Sequence, residues 1–116
     1  MKVYDNETSD VDRWNTAVTE GINRWKGIEK RREGIGDRFY CKNKPFLEVY
    51  PTIRNVQLKI KLPVTHQQRA IAMNLAEADP NTSDFKQGWV RKDITTDKEL
   101  QDALTLIRQG YIGANR

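Results

Sequence analysis

The chain reads as an α+β protein: an antiparallel sheet of about four strands with an N-terminal and a C-terminal helix packed on one face. Three observations predict this. Residues 56–62, Val-Gln-Leu-Lys-Ile-Lys-Leu, alternate aliphatic and polar side chains with period two, the mark of a half-buried strand. Val11, Trp14, Val18 and Ile22 recur at intervals of three and four, as on a helix with one apolar stripe. Thr96-Asp-Lys-Glu99 is a capping box that opens a second such stripe.

The elements follow in order. Residues 1–9 read as a tail, and 10–116 as a single domain. The first helix starts after Ser9-Asp10, and its stripe continues through Trp25 and Ile28. Asp10 and Asp12 near its start and Lys30, Arg31 and Arg32 near its end suit the helix dipole, and Gly34-Ile-Gly36 stops it. Three strands are expected at 38–42, 45–50 and 55–62, joined by turns short enough for a meander. Pro45 opens the second strand and Pro51 closes it, where a missing amide donor does least harm. Thr65-His-Gln-Gln68 resembles a capping box before a short helix, 79–84 has loop composition, and 88–94 is a fourth strand candidate. In the last helix Leu100, Ala103, Leu104, Ile107 and Tyr111 form the buried face, and Gly113 ends it.

Composition narrows the function. With 116 residues the chain suits one modest core. No apolar run approaches the ~20 residues of a membrane span, so no membrane is expected. The single cysteine, Cys41, excludes an internal disulfide and suggests the cytoplasm. The net charge of +4 is concentrated. Between Gly21 and Lys44 lie eight cations against three carboxylates, which leaves the remainder near neutral.

Such a cluster suits phosphate, because each neutralised phosphate releases counterions and adds affinity without regard to base sequence. The candidate nucleic-acid contacts are Lys30, Arg31 and Arg32 at the end of the first helix, and Arg38 and Lys42 on the first strand. Lys59 and Lys61 on the third strand, and Arg91 on the fourth, complete the cations. Trp89 or Tyr40 would offer a base a ring to stack on if exposed. The plain alternative is a lysine-studded face that keeps strands from aggregating. Trp14 and Trp25 belong to the first helix stripe and read as core.

Catalytic patterns are lacking, and no cofactor or metal is expected. His66 and Cys41 lie in unrelated segments, with no third residue spaced to orient the imidazole. Glu48 has Tyr50, not lysine, two residues on, and Lys59 and Lys61 follow Gln57 where a restriction-type nuclease would carry an acid. The 79–84 loop lacks the ligand alternation and glycine of a calcium site, and no phosphate loop or dinucleotide fingerprint occurs.

Three segments carry a resemblance: Phe46-Leu-Glu-Val-Tyr-Pro51, Leu58-Lys-Ile-Lys-Leu-Pro63, and 100–111. The region from about Arg38 to Tyr111 resembles a domain labelled "predicted transport protein", found at the C-terminal end of bacterial proteins with restriction-endonuclease-type domains and also free-standing. Where that family carries a Gly-Ile-Gly-like run, only Gly88-Trp89 stands here. The resemblance implies an α+β fold and a neighbourhood of DNA-handling or defence proteins, with no catalytic residues to carry over. The expectation is a small non-enzymatic module that binds DNA or RNA, linked to a nuclease or phage-defence system. The alternative is a protein-interaction module, a subunit or inhibitor of a host or phage complex, whose partner is acidic or pairs with a strand edge.

Overall fold

Four strands joined by tight turns form most of the sheet seen in the computed structural model, which describes residues 2–116. The order along the chain is α1 (Lys2–Asn23), β1 (Ile28–Glu33), β2 (Gly36–Cys41), β3 (Lys44–Pro51), β4 (Val56–Lys61), α2 (Val64–Ala72), β5 (Glu77–Ala78), α3 (Thr82–Lys86), β6 (Trp89–Ile94) and α4 (Asp97–Ala114). The sheet runs β1-β2-β3-β4-β6-β5, antiparallel throughout. The α+β architecture is as expected, but six strands form where about four were read.

The first difference is the identity of 28–33. Trp25 and Ile28 extend the helical spacing of α1, yet α1 ends at Asn23 and Gly27 turns the chain at φ +76°. Ile28–Glu33 then pairs with β2 as an edge strand. A helix end and a charged edge strand look alike in sequence, because neither shows apolar alternation. Of the segment read as a tail, Met1 lies outside the described residues and the rest belongs to α1.

Two further corrections concern caps. The helix expected after Thr65 begins earlier, at Val64 with Pro63 as its N-cap, so Thr65 sits inside the first turn and no side chain caps the amides. In the 79–84 loop, Asn81 accepts from the Asp84 amide at 3.0 Å, and this cap nucleates α3. By contrast Thr96 caps α4 as read, accepting from the Glu99 amide at 3.1 Å. The helix runs past Gly113 to Ala114.

The core lies between one sheet face and α1 with α4. Val18, Ile22, Phe39, Leu47, Leu58, Ile60 and Ile107 are all buried there. Between Phe39–Leu47 and Tyr40–Pro45 the register shifts, which leaves Phe46 as an extra residue in β3. Such a bulge turns two successive side chains to the same side. Phe46 and Leu47 are thus both buried, and the Phe46 ring meets Tyr111 of α4 edge-on at 5.9 Å. Trp14 ties α1 to α4 by donating to Asp97 at 2.8 Å. Trp25, half-buried, stacks on Tyr111 at 4.7 Å. Gly110 lets α4 settle on the sheet backbone, since a Cβ there would stand 2.8 Å from the Lys61 carbonyl oxygen. Among the described residues, no helix is long and apolar enough to cross a membrane.

Candidate nucleic-acid interface

Register places six charged residues in one line across the face away from α1 and α4. Arg31, Arg38, Glu48, Lys59, Arg91 and Glu77 stand opposite one another on successive strands. The outer-face cations predicted from β4 alternation therefore do converge. They converge together with carboxylates.

Arg38 Nε lies 3.1 Å from Glu48 Oε2, and the Glu48 side chain is only 9% exposed. Tyr50 donates its hydroxyl to the same carboxylate. Lys59 Nζ reaches Asp84 at 2.9 Å and Asp79 at 3.2 Å, the latter side chain 3% exposed. Burial lowers the pKa of Lys59, but the hydrogen bonds to Asp84 and Asp79 outweigh it and hold the ammonium above its ordinary value. Arg31 is bound by Glu29 at 2.9 Å. Such cations have spent their electrostatic reach locally; a phosphate would have to displace a bonded carboxylate.

The aromatic platforms are also occupied. Trp89 was the exposed candidate, yet it is 3% exposed. Its indole lies on the outer face where α3 packs on β6, with Lys59 Nζ 5.5 Å and the Arg38 guanidinium 5.8 Å from the ring. Gln67 of α2 donates to the Trp89 carbonyl at 3.3 Å. Tyr40 has the Arg31 guanidinium over its ring at 4.2 Å. Neither ring is free for a base.

Lys30 and Arg32 are corrected in position. They belong to β1, paired with Phe39 and Asp37, so they point to the side opposite Arg31. Arg32 lies 3.6 Å from Asp37. The end of the first helix and the outer sheet face therefore do not form one patch.

A second cationic region is carried by one end of the sheet. In an antiparallel meander every second connection falls at the same end. Here these are the α1–β1 link, the β2–β3 turn, the β4–α2 link and the α3–β6 link, joined by the C-terminus of α4. They carry Arg24 and Lys26, Lys42 and Lys44, Lys61, Lys86, and Arg116. No aspartate or glutamate occurs in 21–28, 41–46, 61–66, 85–89 or 110–116. The nearest carboxylates in sequence are Glu20, Glu29 and Asp84; Glu29 and Asp84 already partner Arg31 and Lys59.

Local structure holds this end firmly. Lys42 and Asn43 both adopt positive φ, 53° and 64°, as a two-residue hairpin turn requires. Lys42 Nζ donates to the Asn115 carbonyl at 2.8 Å and Lys44 Nζ to the backbone oxygen of Arg116 at 3.4 Å, which ties the turn to the end of α4. These contacts offset the partial negative charge of the helix terminus, and among the described residues neither ammonium group is paired with an acidic side chain. Gly88 has φ +109° and accepts from the Leu62 amide at 2.9 Å; a Cβ would stand 2.2 Å from the Leu62 oxygen, so only glycine fits.

Lys42 and Lys61 of the expected contacts lie at this end together with Arg24, Lys26 and Lys44 of the basic 21–44 stretch, whereas Lys86 and Arg116 had no place in the sequence reading. The signal was present: all sit in or beside connections at alternate turns. Among the described residues, no group of three histidine, cysteine or acidic side chains is disposed to hold a metal ion. No protein-family model, curated protein or solved structure matches the chain.

Proposed function

We propose that the protein is a small non-catalytic nucleic-acid-binding module that grips phosphates with the cationic end of its sheet. The observation that carries this reading is the segregation of charge. Cations from several separate connections gather where the sequence places no acidic side chain, while Arg31, Arg38 and Lys59 on the outer face are matched to carboxylates. Lys42, Lys44 and Lys61 are its centre, flanked by Lys26, Lys86 and Arg116. Lys30, Arg31, Arg38, Lys59 and Arg91 lie outside that centre. The resemblance of 38–111 to a domain linked with restriction-type endonucleases supports an accessory role beside a nuclease or in phage defence.

The test is a titration of labelled DNA and RNA oligonucleotides by fluorescence anisotropy at stepped salt. Binding should weaken linearly in log salt, and replacing Lys42, Lys44 and Lys61 together by alanine should lower the slope by about 2 to 3. A slope that is unchanged would remove this end from the interface. A protein partner that pairs with a strand edge is the second reading, favoured by the open edge of β1, beyond which no strand lies among the described residues. Capture of a partner that survives digestion of all nucleic acid would favour it.

A further inference from the structure

We infer that a cavity at the cationic end receives one unpaired nucleotide, so that the protein prefers single strands to duplex; this rests on the reading just proposed. The cavity measures about 410 Å³ and lies between β3, the β4–α2 link and the end of α4. Clefts that take small ligands span roughly 300–1,000 Å³, so this one has room for a single nucleotide and not for a stretch of duplex.

Its lining divides by chemistry. Pro45, Pro63 and Val64 supply an apolar wall backed by the buried Phe46 and Leu62, while Gly110 and Gly113 keep the α4 side low. Lys44, Lys61 and Arg116 stand at the same cavity, and among the described residues no acidic side chain lines it. Gln87 adds an amide that both donates and accepts. An apolar wall suits the face of a base, an amide suits its edge, and three cations suit the phosphates on either side of it. Pro45 and Pro63 are only half-buried, so the apolar sides of their rings are accessible to a base.

The preference follows from access. A paired base enters a cavity only after leaving its stack, at a cost of a few kcal/mol that an unpaired base avoids. Phosphate contacts alone would favour duplex, where charge is denser. A single-strand preference would thus report the cavity and not the cations.

The experiment compares one short oligonucleotide, single-stranded and annealed to its complement, at equal salt. The single strand should bind at least about tenfold more tightly. Val64 is exposed at the cavity, so Val64→Trp fills the opening from a side chain that supports no core packing. That variant should lose the preference while its salt slope stays as in the parent protein. Gln87→Trp, also from an exposed position, provides the same readout should the first variant unfold. Equal affinity of the parent protein for both forms, or a preference that survives the blocking substitution, overturns the inference. Absence of binding to either form at low salt sinks the phosphate-binding reading itself, whereas salt-dependent binding without preference sinks only the cavity.

Discussion

The outer sheet face and the cationic end of the sheet both carry basic residues and differ in how those residues are paired. On the outer face Arg38 is matched to Glu48, Lys59 to Asp79 and Asp84, and Arg31 to Glu29. At the sheet end Lys42 and Lys44 donate to backbone oxygens at the α4 terminus and pair with no acidic side chain among the described residues. Counting cations alone would credit both regions as phosphate sites. Pairing ranks them differently, because a charge already held at about 3 Å by its opposite has little left to offer a phosphate.

The comparison breaks most readily at Lys59. Removing its ammonium leaves the buried Asp79 carboxylate unpaired, so Lys59→Ala should lower the unfolding free energy by about 3 kcal/mol in urea titration. Lys42→Ala or Lys44→Ala, both exposed, should change it by under about 0.5 kcal/mol. Equal losses would mean that the outer-face pairs are not structural.

Glu48→Gln comes next. It keeps the shape but removes the charge facing Arg38, at a cost of about 1 to 2 kcal/mol. It should also release Arg38, so a face that was silent should begin to contribute to the salt dependence of oligonucleotide binding. No gain in slope would show that pairing is not what silences this face.

Alkaline titration sharpens the same point. Burial opposes the charged form of Lys59, but the hydrogen bonds it donates to Asp84 and Asp79 prevail and raise its pKa above the ordinary lysine value of 10.5. A raised pKa stabilises the fold fully below the unfolded value and loses that contribution as pH rises through the folded one. The urea midpoint should therefore fall above pH 10.5, and the fall should be shallower in Lys59→Met. The smallest expected effect belongs to Glu29→Gln, where Arg31 is freed at an exposed site. Stability should stay within about 0.5 kcal/mol, with a small gain in oligonucleotide affinity.

Legibility varied with the range of the interaction concerned. The strand at Val56–Lys61 and the Thr96 cap of α4 depend on neighbours within a few residues, and both form as read. The Ile28–Glu33 strand was read as a helix end, because its partner lies across the turn at Gly36–Cys41 and its own side chains show no alternation. Trp89 looked like an exposed anchor beside a glycine; its burial depends on α3, which forms through the Asn81 cap within a segment of loop composition.

The sequence by itself determined an antiparallel α+β protein with basic surface, since period-two and helical stripes declare which side of each element must leave water. Only the tertiary structure decided which cations are spent and which are available. Pairing of Arg38 with Glu48 and of Lys59 with Asp79 is a matter of strand register and of what packs above it. Gathering of Lys42, Lys61 and Lys86 is a matter of alternate turns meeting at one end. Both are distances through space between residues remote along the chain, and Coulomb interaction responds to those distances and not to sequence separation.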